Sequence, residues 1–320
     1  MNGTRMQENV GIIPKHSKEP RLAFLLSAPY SGATLLSILL GQHPRVSCDG
    51  EIFPFDRGAD VICSCGKKQI ECEYYRDIAS SMITENGRKY DERFFYYIPK
   101  YSNIYHLSRA LEGFWINGSL SKLRNFLCRH FSKINKLEKS FIDIHMELIR
   151  KSLFLRSASI YIDGSKSMRR AEMFCERKYT NKIIHLVRDG RAFCNSFLKN
   201  KGLSRNCIPI AIKVWKKYIK KVDVLKGRLP HVHLLEVRYN DLCSSPETEL
   251  KRICEFLGIQ YEDSILQFDK RDMHILGNRM RFSYSGDIRE DNSWKEKLGK
   301  EDLSLINRLA EDELRRFGFI

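Results

Sequence analysis

A single stretch, RLAFLLSAPYSGATLLSILLG from Arg21 to Gly41, gives the first clue to the architecture of the chain. Residues 21–27 form a short apolar run with turn residues behind it, which is typical of a buried strand. Residues 28–32 predict a loop, and residues 34–41 predict a helix with leucines on its apolar side and a glycine near its end. The stretch therefore indicates a strand, a glycine-containing loop and a helix, in that order.

The same alternation of strands and helices returns in the second half of the chain. Short apolar runs predict strands, and amphipathic stretches between them predict helices. The predicted strands are 159–163, 182–187 and 232–237, and the predicted helices are 137–157, 167–177, 190–199, 207–226 and 246–257. Strands that alternate with helices favour an α/β fold, here a P-loop-like parallel sheet flanked by helices.

The length of 320 residues allows two domains at most, at about 150 residues per domain. One larger domain with an insertion fits the length equally well. Residues 1–20 are polar and basic, and we interpret them as a flexible tail. We expect a single α/β domain over 21–320, with a helical insertion at about 77–157 where aromatic and basic residues are mixed with weak periodicity.

The composition excludes several classes of protein. A hydrophobic fraction of 42% and a charged fraction of 29% are ordinary for a globular chain, which excludes overall disorder and a coiled coil. No apolar run approaches the roughly 18 residues that a membrane helix needs. The first 20 residues lack the apolar core of a signal peptide, so the sequence leads us to expect a cytoplasmic protein.

The chain is strongly basic, with 55 Lys and Arg against 39 Asp and Glu and a net charge of +16. Such a surplus implies a polyanionic partner: nucleic acid, an anionic membrane, an acidic substrate or a phosphate-rich cofactor. Residues 88–157 hold 14 basic and 6 acidic residues, a surplus of +8. This segment fits an acceptor-binding lid, a peripheral contact with an anionic membrane, or an insertion that packs its aromatics inward. No helix-turn-helix, zinc-finger or RNP motif supports nucleic-acid binding.

The loop between the first strand and helix has the features of an anion site. Such a loop turns backbone N–H groups and a helix N-terminus toward one point. Gly32 allows close approach of a ligand to the backbone, and Ser31 and Thr34 add hydroxyl groups. No lysine follows Gly32, which disfavours the Mg-ATP site of a nucleotide-hydrolysing P-loop. An ordinary turn between a strand and a helix is the alternative.

A second candidate phosphate site lies in the stretch from His185 to Ser196. Arg188 comes at the carboxyl end of a predicted strand, where open α/β sheets bind ligands. Ser196 follows two turns along the next helix, and a guanidinium with a hydroxyl makes a good phosphate clamp. Alternatively, Asp189 caps the helix and Arg191 forms a surface ion pair.

Together the two segments resemble the cofactor signatures of the sulfotransferases that use 3'-phosphoadenosine 5'-phosphosulfate (PAPS). The segment from Pro29 to Leu36 resembles the loop that cradles the 5'-phosphosulfate. The segment from Val187 to Ala192 is similar to the version found in tyrosylprotein sulfotransferases, which implies that Arg188 and Ser196 hold the 3'-phosphate. The segment from His274 to Arg281 is similar to the tail of bacterial members, so the resemblance is to a bacterial-type enzyme. In the first loop the resemblance implies these cofactor ligands: Pro29, Tyr30, Ser31, Gly32, Ala33 and Thr34.

The resemblance extends from Arg21 to about Leu298 and implies further site residues. Glu51 lies in a segment similar to the one that carries the catalytic glutamate, although it could also pair with Arg57. Lys166 is similar in placement to a lysine that contacts the cofactor. Tyr239 resembles a tyrosine that touches adenine. The resemblance also covers two arginines that would close a loop over the 3'-phosphate, or belong to a solvated basic loop: Arg279 and Arg281.

The reaction implied by the resemblance is in-line transfer of a sulfuryl group from PAPS to a hydroxyl acceptor. Glu51 would take the acceptor's proton, and Lys166 with the loop N–H groups would stabilise charge on the leaving oxygen, with no metal required. Tyr30 and Ala33 depart from the family pattern, which often has a basic residue and a hydroxyl there. Carbohydrate, lipid-linked, small-molecule and peptide acceptors stay open. The competing functions are a P-loop nucleotide kinase and a basic protein that binds nucleic acid or another anionic surface.

The remaining candidates are histidines and cysteines. His43 is a second candidate base, although a histidine before proline favours a capping turn, and His185 is expected in the core. Cys63, Cys65 and Cys72 give the spacing C-x-C-x6-C, with Cys48 as a distant fourth. A structural zinc site needs four ligands, so we assign no metal ligand and favour free thiols over a disulfide or zinc.

Overall fold

The computed structural model describes residues 19–51, 61–81, 132–269 and 273–320 of the chain. These residues comprise the sheet, the helices around it and the loops at its edge. Nearly all of the predicted tail over 1–20 lies outside them. Most of the predicted helical insertion over 77–157 lies outside them as well.

A parallel sheet forms the centre of the described residues, as the alternation of strands and helices predicts. Its strands, in spatial order, are β2 (Val46–Cys48), β3 (Ile160–Asp163), β1 (Arg21–Ser27), β4 (Lys182–Val187) and β5 (His233–Arg238). All neighbouring pairs are parallel. The predicted α/β class is therefore confirmed. The short edge strand β2 is not among the strands predicted from the sequence.

The six predicted helices are present, each beginning and ending within about five residues of its predicted bounds. The helices of the described residues are α1 (Ala33–Gly41), α2 (Glu73–Ser81), α3 (Ser132–Leu155), α4 (Met168–Glu176), α5 (Gly190–Lys201), α6 (Ile208–Arg228), α7 (Tyr239–Ser244), α8 (Pro246–Leu257), α9 (Met280–Ser283), α10 (Trp294–Lys297) and α11 (Lys300–Arg316). Five of these helices were not predicted: α2, α7, α9, α10 and α11. Within the described part of the chain, we find no helix with both the length and the apolar content needed to cross a membrane.

The central strand β1 is buried on both faces, as expected for a parallel sheet covered by helices. Leu22, Phe24 and Leu26 belong to one apolar cluster, together with side chains of α3 and α4. Ala23 and Leu25 belong to the opposite cluster, together with α1 and α8. Successive side chains of a strand point to opposite faces, so the unbroken apolar run of β1 supplies both cores.

The parallel arrangement brings the ends of all the strands to one edge of the sheet. The carboxyl edge of an open parallel sheet is where such folds bind ligands. Several residues predicted to act in catalysis or cofactor binding come directly after different strands and therefore lie at this edge. After β2, β3, β4 and β5 come, respectively, Glu51, Lys166, Arg188 and Tyr239, and β1 is followed by the loop of residues 28–32.

Candidate active site

The loop between β1 and α1 contains two residues in the left-handed backbone region. They are Tyr30 and Gly32, which have φ angles of 60° and 90°. Gly32 is the N-cap of α1 and provides no side-chain cap for the helix N–H groups. Ser31 is only 1% exposed, and its hydroxyl oxygen has no hydrogen-bond partner. Since an unpaired buried hydroxyl is costly, this oxygen fits a site that is completed by a ligand.

The aromatic ring of Tyr239 packs directly against this loop. A Cβ atom added to Gly32 would lie 2.3 Å from Cδ2 of Tyr239, so only glycine fits here. The Tyr239 hydroxyl donates to the carbonyl of Arg289 at 3.3 Å. Its ring therefore closes the space between the loop and the end of β5, while the predicted contact with adenine stays a prediction.

Arg188 connects the end of β4 to the loop and to helix α5. Its Nη1 donates to the Ser196 hydroxyl at 3.1 Å and to the carbonyl of Tyr30 at 2.8 Å. The residue is 5% exposed, and its Nε has no hydrogen-bond partner. The structure thus brings together the arginine and the serine that the sequence proposes as a phosphate clamp, next to the first loop.

The helix cap of the alternative interpretation is also present, but its ion pair is largely buried instead of lying on the surface. Asp189 is the N-cap of α5 and accepts from the backbone N–H of Arg191 at 2.8 Å. The Arg191 guanidinium forms an ion pair with Asp189 at 2.6 Å and lies over the Trp294 ring, 4.7 Å from its centre. Because Asp189 is engaged by Arg191, its carboxylate does not neutralise Arg188.

A different carboxylate, which the sequence analysis missed, pairs with Arg188. Asp291 Oδ2 lies 3.1 Å from Arg188 Nη2, and the carbonyl of the same residue accepts from Nη2 at 3.2 Å. Partial burial acts to raise the pKa of Asp291, but hydrogen bonds from Ser293 and Arg188 outweigh this effect and lower the pKa below its ordinary value. The Asp291 side chain is 49% exposed, whereas the Arg188 side chain is only 7% exposed.

Glu51 and Lys166 form the second polar group at this edge. Lys166 Nζ donates to Glu51 Oε1 at 2.5 Å. The loops that carry them touch, because a Cβ atom on Gly164 would lie 2.8 Å from the carbonyl oxygen of Gly50. The Glu51 backbone N–H donates to the carbonyl of Leu276 at 2.8 Å, which fixes the position of the glutamate. Arg57, the alternative partner of Glu51, lies outside the described residues.

The segment before α9 lies between Glu51 and α1. The Asn278 N–H donates to the Thr34 hydroxyl at 3.3 Å, and Gly277 lies beside both Thr34 and Glu51. Arg279 is exposed. Arg281 differs from the expectation of a phosphate ligand: it is 6% exposed and donates to the main-chain carbonyls of Ile62 and Gly277. Its guanidinium therefore supports the loop.

Both His43, the second candidate base, and His185, expected in the core, are buried. His43 is 1% exposed, its Nε2 lies 2.7 Å from the carbonyl of Gln260, and its Nδ1 accepts from the backbone N–H of Arg45 at 3.0 Å. Both of its nitrogens are used in a turn, so His43 has none left for an acceptor hydroxyl. His185 is 2% exposed within β4.

A group of potential metal ligands lies beside this site. The three clustered cysteines come together as their spacing suggests, and the fourth member of the group is His274, not Cys48. His274 is not among the ligands that the sequence predicts, because it is 202 positions from Cys72 and lies outside any regular element.

Comparisons with known proteins agree with this arrangement. Residues 180–263, which include Arg188, Ser196 and Tyr239, match the family described as "Sulfotransferase family". Protein-tyrosine sulfotransferase 2 of Gallus gallus is 23% identical over 261 residues, which cover 80% of this chain and 56% of the relative. The chain is therefore similar in sequence to the sulfotransferases. Protein-tyrosine sulfotransferase A of Caenorhabditis elegans is 23% identical over 251 residues, covering 77% and 52% of the two chains.

The chain thus spans about half the length of these sulfotransferase relatives. Among solved structures, the sulfotransferase domain of the Synechococcus PCC 7002 olefin synthase is similar, with a TM-score of 0.52 and 20% identity. This similarity covers 93% of the present chain and 96% of the other. The likeness shows that the two chains share a fold.

Proposed function

We propose that this chain is a PAPS-dependent sulfotransferase, which moves a sulfuryl group from PAPS to a hydroxyl acceptor. One observation carries the proposal: the Arg188–Ser196 pair lies beside the loop in which the Ser31 hydroxyl is buried and unpaired. Two neighbouring anion sites, one at the loop and one at Arg188, suit a ligand that carries phosphate groups on both the 5' and the 3' position of a ribose. A nucleotide with a 5'-phosphosulfate and a 3'-phosphate has this form.

The donors divide between the two ends of such a cofactor. The backbone N–H groups of residues 31–34 and the N-terminus of α1 would hold the 5'-phosphosulfate, because a helix N-terminus favours an anion. Arg188 and Ser196 would hold the 3'-phosphate, since guanidinium binds phosphate in a bidentate manner. Tyr239 lies between these donors and would contact the adenosine. Pro29, Tyr30 and Ala33 would shape the loop, and Arg279 would approach from its exposed position.

The pair formed by Glu51 and Lys166 would carry the proton transfer and the charge stabilisation. When bound, PAPS supplies the sulfuryl group and a good leaving phosphate. Glu51 accepts the proton of the acceptor hydroxyl at a carboxylate oxygen. Lys166 and the loop N–H groups stabilise the negative charge that develops on the leaving oxygen, and this kind of stabilisation is usually the largest contribution to catalysis. Lys166 and Glu51 are in contact with each other. The two side chains are therefore close enough to act on the same sulfuryl group, Glu51 at the acceptor oxygen and Lys166 at the leaving oxygen.

The acceptor belongs to the hydroxyl class, and the basic segment 88–157 is the part of the chain that would select it. A peripheral contact of this segment with an anionic membrane is part of the proposal, because its surplus of +8 would attract anionic lipids. Such a contact would bring a lipid-linked acceptor near the site.

Calorimetric titration with 3'-phosphoadenosine 5'-phosphate (PAP), the desulfated product, tests the proposal against a kinase. We expect micromolar binding of PAP, binding at least about tenfold weaker in Arg188→Ala, and no comparable binding of ATP with magnesium. Preference for Mg-ATP would favour the kinase. Tight, strongly salt-dependent binding of nucleic acid by a protein that ignores PAP would favour a nucleic-acid-binding protein.

A further inference from the structure

Four side chains outside the proposed catalytic residues place soft ligand atoms around one point. They are Cys63, Cys65, Cys72 and His274, and their sulfur and nitrogen atoms all lie within 4.8 Å of one another. The sulfur of Cys72 lies 3.7 Å from that of Cys65 and 3.8 Å from that of Cys63. Nδ1 of His274 lies 3.2 Å from the Cys72 sulfur and 3.7 Å from the Cys63 sulfur.

The four separations given for named pairs, 3.2 to 3.8 Å, are close to the edges of a tetrahedron around a zinc ion, and no pair is farther apart than 4.8 Å. Zinc–sulfur bonds of about 2.3 Å in tetrahedral geometry place neighbouring sulfurs about 3.8 Å apart. Zinc–nitrogen bonds are slightly shorter, which brings nitrogen and sulfur somewhat closer together. A disulfide would join two of the sulfurs at about 2.05 Å and leave the third cysteine and the histidine without a common function. The arrangement of four ligands around one point favours a metal.

Hydrogen bonds fix the backbone around the cysteines. The turn from Cys63 to Gly66 is closed by a hydrogen bond from the Gly66 N–H to the Cys63 carbonyl, and Gly66 has a φ of 90°. Ser64 connects this turn to the histidine segment. Its hydroxyl donates to the carbonyl of Met273 at 2.6 Å and accepts from the N–H of Ile275 at 2.8 Å. The turn and the histidine are therefore fixed relative to each other.

The histidine ring is oriented by its neighbours. The ring of His274 stacks on Tyr74, with the ring centres 4.8 Å apart and the planes 4° from parallel. Tyr75 donates its hydroxyl to the His274 carbonyl at 2.7 Å. In protein metal sites, the side chains that bind the metal are commonly oriented by neighbouring residues that do not themselves contact the metal. Cys72 immediately precedes α2, where a helix N-terminus favours a thiolate.

We propose that Cys63, Cys65, Cys72 and His274 bind one structural zinc ion. Three thiolates and one neutral imidazole around a divalent cation leave a net charge of −1, and binding displaces the protons of the thiols. Soft sulfur ligands in tetrahedral geometry select zinc among the common divalent ions. Four protein ligands fill the coordination sphere, which makes the site structural.

Zinc here would act on the active site through the chain segment that follows His274. Leu276 accepts the hydrogen bond from the Glu51 N–H, and Asn278 donates to Thr34 of α1. A metal that joins residues 63–72 to residue 274 thus fixes the segment on which Glu51 rests. The ligands themselves take no part in the transfer reaction, so the proposal is independent of the proposed activity.

Metal analysis of the full chain, purified without chelators, tests the zinc site directly. We expect one zinc per chain by mass spectrometry of the metal, and the visible absorption of tetrahedral thiolate-bound cobalt after exchange with Co²⁺. Cys65→Ser is the best first variant because Cys65 is exposed and its loss leaves no core cavity. We expect it to lose most of the zinc. His274→Cys should keep zinc, because it supplies a fourth thiolate.

Cys207→Ser, at a partly buried cysteine that is not a member of the cluster, is the matched control and should keep one zinc per chain. The proposal is overturned if the protein contains no zinc and takes up neither zinc nor cobalt under reducing, oxygen-free conditions. It is overturned equally if Cys65→Ser retains full zinc content. Both results are read without any assay of sulfuryl transfer, so failure of this site and failure of the proposed function are separate outcomes.

Discussion

The ammonium nitrogen of Lys166 lies 2.5 Å from carboxylate oxygen Oε1 of Glu51, a residue 115 positions earlier in the chain. The two side chains keep 16% and 26% of their surface exposed, so an acceptor can reach them. Lys166 has a φ of 59°, in the left-handed region that is unfavourable for a non-glycine residue. Backbone strain of this kind is concentrated at functional sites. The pair therefore combines access, opposite charges and a backbone cost, which supports its place in the proposed reaction.

Replacement of the proposed base should affect turnover and leave cofactor binding intact. Glu51→Gln keeps the size of the side chain and an oxygen for Lys166 but cannot accept a proton. We expect kcat to fall about 10²–10⁴-fold, the usual contribution of a general base. Initial rates with labelled PAPS and an acceptor found by screening measure this, alongside PAP titration. Glu71→Gln, at an exposed residue of the 3-10 turn before α2, is the control. A kcat within twofold of the parent would exclude Glu51 as the base.

Loss of the Lys166 ammonium should affect the chemical step more than it affects cofactor affinity. Lys166→Ala removes the cation proposed to stabilise the leaving oxygen, and we expect kcat to fall about 10²–10³-fold. Lys166→Arg keeps the charge and should recover part of the rate. An unchanged kcat in Lys166→Ala, together with weaker PAP binding, would assign Lys166 to ground-state binding alone.

Arg188→Ala should weaken binding only of ligands that carry a 3'-phosphate. A hydrogen bond to a charged group contributes about 1.5–3 kcal/mol, so PAP affinity should fall about 10- to 150-fold. Affinity for adenosine 5'-phosphate, which lacks the 3'-phosphate, should change little. Calorimetry with both nucleotides measures the ratio. Arg191→Ala, whose guanidinium is engaged by Asp189, should leave the ratio unchanged. An equal loss for both nucleotides in Arg188→Ala would place the 3'-phosphate elsewhere.

The sequence was enough to predict the elements that carry periodic patterns. The apolar run of β1 and the leucines of α1 predict both elements and the loop between them. Ser196 lies two turns into α5, so its closeness to Arg188 follows from helix geometry once α5 is assigned. Glu51 and Lys166 were named because their segments resemble those of a known family, and the structure brings these two side chains together.

The residues that the sequence analysis missed are joined by contacts between distant loops. Asp291 is 103 positions from Arg188, and His274 is 202 positions from Cys72. Neither residue lies in a helix or strand, whose apolar residues recur at regular spacing, so no local sequence pattern predicts its partner. The strand β2 is three residues long, which is too short for alternation to show. Arg281 was expected at the phosphate, but a basic residue in a loop gives no sign of which carbonyls it will contact.

Asp291 should compete with the cofactor for Arg188. Its carboxylate forms an ion pair with the guanidinium that is proposed to hold the 3'-phosphate. Asp291→Asn removes a negative charge from the site, so PAP affinity should rise by up to about fivefold, since an exposed ion pair contributes up to about 1 kcal/mol. The gain should shrink at high salt because exposed charges are screened. Titration at two salt concentrations measures both effects. Asp287→Asn, whose partner is the exposed Arg289, is the control. Weaker PAP binding in Asp291→Asn would show that the carboxylate supports the site.

Gly32 should be required both for the loop backbone and for the space that the Tyr239 ring fills. Gly32→Ala puts a Cβ atom 2.3 Å from that ring, on a residue with a φ of 90°. Gly202→Ala is a matched control, because Gly202 has a φ of 62° and no atom within 4 Å of an added Cβ. The control measures the cost of the left-handed conformation alone, about 1–2 kcal/mol.

Gly32→Ala should lower the free energy of unfolding further than the control, by about 1–3 kcal/mol for overpacking. It should also weaken PAP binding, because either the ring or the loop must move. Urea denaturation and PAP titration of both variants measure the two effects. Equal destabilisation by the two substitutions would mean that the Tyr239 ring moves away at no cost. In that case the ring would not be a fixed wall of the cofactor site.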